Sequence, residues 1–317
     1  MIALSLIPCL FAAAAPGQPA NFLFAGSDDL PAIRGLISRP DIDGVQIVYT
    51  WKSLEPAFGR YDFSQIETDL AVLGPLHKKL FVQVQDRFFR PQDRNVPRYL
   101  LEDPVYTGGL VPQSDNPGEG QPAGSGWAAE QWNPRVRHRF QLLLAALAEK
   151  FDGRIYGVNL PETAVDLDRK HDRTHFACDA YFAAELENAK FARAVFRKSH
   201  VVQYINFWPC EWENSRRYMS RAFAFAAANG IGLGGPDIVP NQRGQMKNSY
   251  PFFHEYKGRL ALVAMAVQEP TLTYTNPATG KKFTKDEFID FARDYLGADV
   301  VFWSIASPWL HATEPRR

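Results

Sequence analysis

The chain shows no imbalance of charge: 35 Lys and Arg offset 35 Asp and Glu in 317 residues. Without a basic run or stripe, nothing would neutralise a phosphate backbone, so nucleic acid is not an expected partner. Cysteine is scarce, with three in the chain and no C-x-x-C, so a zinc knuckle or dithiol redox motif is excluded. Beyond the first residues no apolar run is long enough to cross a bilayer, and stable membrane insertion is not expected. G-x-G-x-x-G and G-x-S-x-G are both missing, which counts against a dinucleotide fold and an α/β-hydrolase nucleophile. Heptads, low-complexity tracts and fixed-period repeats are missing too. No cofactor is implied.

What is present suits a large soluble domain. Hydrophobic residues make up 46% and charged residues 22%. The first 20 residues stand apart. Ile2 to Ala15 is nearly all apolar, and Pro16-Gly17-Gln18-Pro19-Ala20 breaks the run. This pattern predicts a signal peptide over 1–20, although no Lys or Arg precedes the apolar stretch. A secreted or periplasmic location is the matching expectation. Residues 21–317 are then one domain. Cys178 and Cys210 remain after cleavage, either as a disulfide across adjacent strand ends or as two free thiols.

Short β-rich runs alternate with helical patterns along that domain. The expected strands are Asn21–Ala25, Gly44–Thr50, Leu80–Gln85, Ile155–Asn159, Val201–Phe207, Gly232–Ile238, Leu260–Val267 and Ala298–Ile305. A helix-like segment fills each gap. The firmest are Asn133–Phe151, with Pro134 at its first turn, and Thr284–Leu296, with a Thr284/Glu287 capping box. Eight such units predict a closed (β/α)8 barrel, of the TIM type, with a parallel sheet. A Pro-, Gly- and Asp-rich stretch from 87 to 130 reads as a long irregular loop, and its length suggests a wall of the functional cleft.

In such a barrel chemistry gathers where strands end. Trp51 and Glu55 follow the second strand, Asp86 and Arg87 the third, and Glu162 the fourth. Trp208, Glu211 and Trp212 follow the fifth, Asp237 the sixth and Glu269 the seventh; Trp303 lies in the eighth. Carboxylates and indoles therefore crowd one rim. Glycosidic cleavage needs that combination: one acid protonates the leaving oxygen, a second attacks or activates water, and aromatic faces seat the sugar.

Two segments sharpen this. Trp51-Lys52-Ser53-Leu54-Glu55-Pro56, followed by Gly59-Arg60-Tyr61-Asp62-Phe63, resembles the W-x-x-x-E-P…G-x-Y-D-F stretch of clan A glycoside hydrolases, and Val96-Pro97-Arg98-Tyr99-Leu100 is similar to their P-x-W/Y-L stretch. The resemblance implies a retaining glycosidase acting on a poly- or oligosaccharide. It assigns Glu162 as acid/base and Glu269 as nucleophile, with Trp303 flooring the subsite of the cleaved sugar. Val263, Met265, Val267 and Glu269 share one strand face, expected to be the barrel interior. Substrate contacts are expected from Trp51, Asp86, Arg87, Asn159, Trp208, Glu211, Trp212, Asp237 and Trp303. Glu211 is also the reserve acid, and Glu55 is expected to tie down its loop through a side-chain pair. In that clan Asn directly precedes the acid, whereas here Leu160 and Pro161 separate Asn159 from Glu162. That displacement favours an alternative, a carbohydrate-binding barrel without catalysis. A metal-dependent hydrolase is the third reading, with His171 and His175 near Asp166 and Asp168 as its only ligand candidates; the polar sequence around them predicts no metal.

Overall fold

The computed structural model describes residues 17–115, 124–167 and 172–312. The expected signal peptide therefore falls almost entirely outside the described residues, as do Cys9, Asp168 and His171. No helix among the described residues is long and apolar enough to cross a membrane.

Twelve strands occur among the described residues, in chain order: β1 (Ala20–Ala25), β2 (Gly44–Thr50), β3 (Lys79–Gln85), β4 (Arg87–Phe88), β5 (Leu110–Asp115), β6 (Gly124–Ala129), β7 (Gly157–Leu160), β8 (Asp166–Leu167), β9 (His200–Tyr204), β10 (Gly232–Gly235), β11 (Val263–Val267) and β12 (Val300–Ser304). Eight close into a barrel in the order β1-β12-β11-β10-β9-β7-β3-β2, and every pairing is parallel. The (β/α)8 barrel is thus the architecture of the chain, and each expected barrel strand exists. The weak sixth strand is short because it is built of glycine. A Cβ on Gly234 would lie 1.9 Å from the Ala264 carbonyl oxygen, so only glycine allows β10 to approach β11 this closely.

The stretch from 87 to 130 is less irregular than its composition suggests. β4, β6, β5 and β8 form an antiparallel sheet in that order, standing on the barrel rim. Gly126 makes it possible, since a Cβ there would sit 1.8 Å from the Phe88 carbonyl oxygen. In the described part of this stretch, short strands stand where the sequence reads as irregular loop.

Two apolar clusters separate the faces of the barrel. The larger joins Val45, Ile47, Val263, Met265, Val267 and Trp303 to the surrounding helices, including Phe140, Leu144 and Leu147 of helix Pro134–Phe151. The smaller, formed by Phe22, Phe81, Val202, Tyr204, Ala264, Ala266 and Phe302, fills the interior. On β11 the inward residues are therefore Ala264 and Ala266. The expected parity was reversed: Val263, Met265 and Val267 face the helices.

Candidate active site

A cavity of about 680 Å³ opens at the carboxyl ends of the barrel strands. Its floor continues the interior parity, with Phe24, Val48, Gln83, Gln85, Tyr204 and Gln268 above the apolar plug. Three half-buried or buried groups give it chemistry: Glu162, Asp237 and Arg87.

Glu162 sits two residues beyond β7. The preceding Pro161 offers no N–H, so the sheet ladder cannot hold this segment. Side chains and a neighbouring strand do so instead. Gln203 Nε2 donates to the Pro161 carbonyl. Thr163 N–H donates to the Tyr204 carbonyl at 3.1 Å, and its hydroxyl to the Phe207 carbonyl at 2.8 Å. The Glu162 carbonyl accepts from Arg87 Nη1 at 2.5 Å, and its carboxylate from Asn206 Nδ2 at 3.2 Å. The carboxylate thus receives an amide, but from the end of the fifth strand. Asn206 was not singled out in the sequence, where it fell inside the expected fifth strand Val201–Phe207; β9 ends two residues before it, at Tyr204. Asn159 lies lower, fully buried, with its Oδ1 accepting from Gln46 Nε2 at 3.1 Å, and it does not line the cleft.

Asp237, beyond β10, is fixed by Thr271, whose hydroxyl donates to Oδ1 at 3.0 Å. The Tyr250 hydroxyl donates to its carbonyl at 2.9 Å. Tyr204 also lines the cleft, and its hydroxyl accepts from Gln46 Nε2 at 2.7 Å. Burial raises the Tyr204 phenol above its usual range; the Gln46 bond opposes this, and the Asp237 and Glu162 charges add to it. The phenol therefore feels both carboxylates.

Glu269 is placed differently from expectation. Gln268 continues the inward face of β11 into the cleft, and Glu269 is an exposed residue outside its lining, at the start of the turn Pro270–Thr273. The cause is the reversed parity. The same reversal removes Trp303, which is buried in the helix layer against Trp309, with its indole donating to Asn21 Oδ1 at 2.8 Å. Trp51 is also core: its indole donates to Glu55 Oε2 at 2.9 Å and its ring meets Phe140 edge-on. Asp86 is buried below the rim, accepting from Gln131 Nε2 at 2.6 Å; burial pushes its carboxyl up to about 6. Arg87 turns the other way, into the cleft wall, so the adjacent pair diverges.

Glu211 borders the cleft, but its carboxylate is occupied. It accepts backbone N–H groups from Arg216, Tyr218 and Met219 at 3.2, 2.7 and 3.0 Å, capping helix Tyr218–Asn229. Trp208 touches the cleft while packing mainly on Phe182, at a centroid distance of 4.9 Å. Trp212 is an open platform, 42% exposed and parallel to Phe207. Phe89, 44% exposed, faces the cleft from the third-strand side. Cys178 and Cys210 are joined as a disulfide with Cα atoms 6.3 Å apart, which pins the wall after β9 to the start of helix Cys178–Val195. His175 is exposed, and no group of three or more His, Cys, Asp or Glu side chains suited to a metal occurs among the described residues.

No family model matches the chain, and no curated protein does either. Solved structures do resemble it. The catalytic domain of a beta-amylase from Paenibacillus polymyxa superposes with a TM-score of 0.57 at 9% identity, covering 92% of this chain and 93% of that one. A family 39 glycoside hydrolase from Bacteroides cellulosilyticus WH2 gives 0.55 at 10% identity, over 90% of this chain and 56% of that one. A beta-galactosidase from Marinomonas ef1 gives 0.54 at 9% identity, over 89% and 53%. At these identities the likeness establishes the shared barrel.

Proposed function

We propose that the chain is a glycoside hydrolase acting on an oligo- or polysaccharide, with Glu162 as acid/base and Asp237 as the second carboxylate. The observation that carries this is that two carboxylates, from the fourth and sixth strand ends, line one cleft together with the exposed rings of Trp212 and Phe89. An oxocarbenium-like transition state needs a proton donor for the leaving oxygen and a carboxylate for the emerging positive charge. Glu162 is held by Asn206 and Asp237 by Thr271. Retaining chemistry, the expectation from the clan A resemblance, then gives Asp237 the nucleophile's role in place of Glu269. The barrels it resembles include a family 39 glycoside hydrolase and a beta-galactosidase. An exported protein fits the disulfide and the apolar first residues.

Three variants test the assignment. Asp237→Asn is expected to lower turnover by roughly 10³-fold or more on every substrate. Glu162→Gln is expected to lose ~10²–10⁴-fold in kcat/KM on glycosides with poor leaving groups and little in kcat/KM on dinitrophenyl glycosides, whose first step needs no proton. Glu269→Gln should stay close to wild type. Loss of activity in Glu269→Gln alone would return the nucleophile to that residue. Proton NMR of the first-formed product should show retention; inversion would make Asp237 the base for an attacking water.

A second reading is favoured by Gln268. Its carboxamide fills the seventh-strand position of the cleft, where the clan that this sequence resembles carries the nucleophile. A barrel that binds sugar without cleaving it would show oligosaccharide affinity by calorimetry and no turnover in the wild type.

A further inference from the structure

We infer that Arg87 is a positioning residue for proton transfer by Glu162, an inference that rests on the hydrolase reading above. β7 stops at Leu160, and Pro161 removes the next possible ladder donor. Bonds to Pro161 and Thr163 grip the chain on either side of Glu162. The bond to the backbone of Glu162 itself comes from Arg87, whose Nη1 meets its carbonyl oxygen at 2.5 Å. A carboxylate is aimed by the peptide that carries it. With this carbonyl tied and Oε1 bonded to Asn206, the side chain is fixed at both ends.

The guanidinium is itself immobilised. Nη2 donates to Gln113 Oε1 at 3.0 Å, and Gln113 Nε2 donates onward to the Phe88 carbonyl at 3.3 Å. Gln85 Nε2 holds the Arg87 carbonyl at 2.5 Å. Arg87 thus links the third strand end, the rim sheet through β5, and the acid. It is 5% exposed, too enclosed for a sugar contact to be its main use. The planar fork suits two acceptors at fixed angles, which a lysine ammonium on a flexible stem cannot match. Charge supports the placement: Asp86, Glu185 and Glu162 all act on the buried Tyr181 phenol, and Arg87 is the cation that opposes them there.

If Arg87 aims the acid, its loss should matter in proportion to the need for a proton. Displacements of about 1 Å cost ~10²-fold in a positioned reaction. The test uses aryl and alkyl glycosides of graded leaving-group pKa in both anomeric series. Arg87→Ala should lose ~10²-fold in kcat/KM on phenyl and methyl glycosides and under about 3-fold in kcat/KM on 2,4-dinitrophenyl glycosides, whose first step needs no proton. Added guanidinium ion should restore part of the loss, and Arg87→Lys should fall in between. Gln113→Leu, which frees one arm of the fork outside the cleft lining, should show the same leaving-group selectivity in weaker form, covering the case in which Arg87→Ala fails to fold. Equal losses on all leaving groups, with melting temperature unchanged, would overturn the inference and leave the hydrolase reading standing. A wild-type chain that cleaves none of these glycosides removes the hydrolase reading and this inference with it.

Discussion

Glu55 ties down the turn after β2. Its carboxylate is fully buried and accepts from the Trp51 indole at 2.9 Å, the Gly59 N–H at 3.0 Å, the Tyr99 hydroxyl at 3.1 Å and Arg139 Nη2. The W-x-x-x-E-P segment is thus a lock that shapes the turn after β2. Removing one partner of a buried ion pair leaves an uncompensated charge, at a cost of about 3–5 kcal/mol. Arg139→Met should destabilise the protein by that amount in urea unfolding, and adding Glu55→Gln should recover much of it. Turnover per folded molecule should hold in both, because the lock lies outside the cleft. A Glu55→Gln variant that loses turnover at unchanged stability would instead make this carboxylate part of the chemistry. The tying role of Glu55 was legible from its place in the loop after the second strand, although its partners were not. The fate of Trp51 was not: residues 51–54 turn into a short helix that buries the indole, and strand-end position alone does not show that.

Eight elements could be read from periodicity, because parallel barrel strands are short apolar runs between helices. Their facing could not always be read, for the same reason. All five residues of β11 are buried and apolar, as are the first four of β12, and only the terminal Ser304 is polar, too little to mark an inward or outward side. Glu269 and Trp303 were misplaced by that one ambiguity, whereas β3 advertises its cleft face through Gln83 and Gln85. The disulfide belongs to this scale as well. It closes a span of 32 residues and anchors the segment that carries Asn206, Phe207 and Trp212. Chain entropy alone assigns such a closure about 4 kcal/mol. Replacing both Cys178 and Cys210 by Ser should therefore lower unfolding free energy by about that much. It should also raise KM several-fold, since one wall of the cleft loses its tether. Peptide mapping after alkylation without reduction should find neither thiol labelled. An unchanged melting curve on reduction would mean that the packing of Trp208 against Phe182 already suffices to hold the wall.

At the scale of the whole molecule the buried acids set a pH dependence that zero net charge conceals. Burial pushes Asp86 up to about 6, Glu130 to about 7 and Glu185 to about 8, outweighing the hydrogen bonds from Gln131 to Asp86 and from Thr107 to Glu130. Each lies above its unfolded value, so the folded state holds protons that the unfolded chain has already released. Stability from these groups is present in full below about pH 4 and is lost as pH rises through 6 to 8. Other groups act at the acid end. Asp152 is lowered although burial raises it, because the Ser199, Lys198 and Arg197 N–H groups bind its carboxylate. Glu287 is lowered by the Thr284 N–H that it caps. Their contribution disappears as pH falls below the ordinary carboxylate range. Burial also lowers His200, so protonating it on the acid side works against the fold. The two trends bracket a maximum on the acidic side, at about pH 4 to 5. A tenfold difference in proton affinity between folded and unfolded chain is worth about 1.4 kcal/mol, so three acids should cost a few kcal/mol between pH 5.5 and 8.5, or on the order of 5 °C in a chain of this size. Calorimetry across that range checks it, with Glu185→Gln as the control. This near-isosteric amide cannot ionise, so the variant should melt less steeply with pH and gain on the wild type at pH 8.5. A melting temperature that climbs steadily to pH 8.5 would mean that these carboxyls are ionised in the folded protein, with Arg87 compensating more of their charge than burial removes.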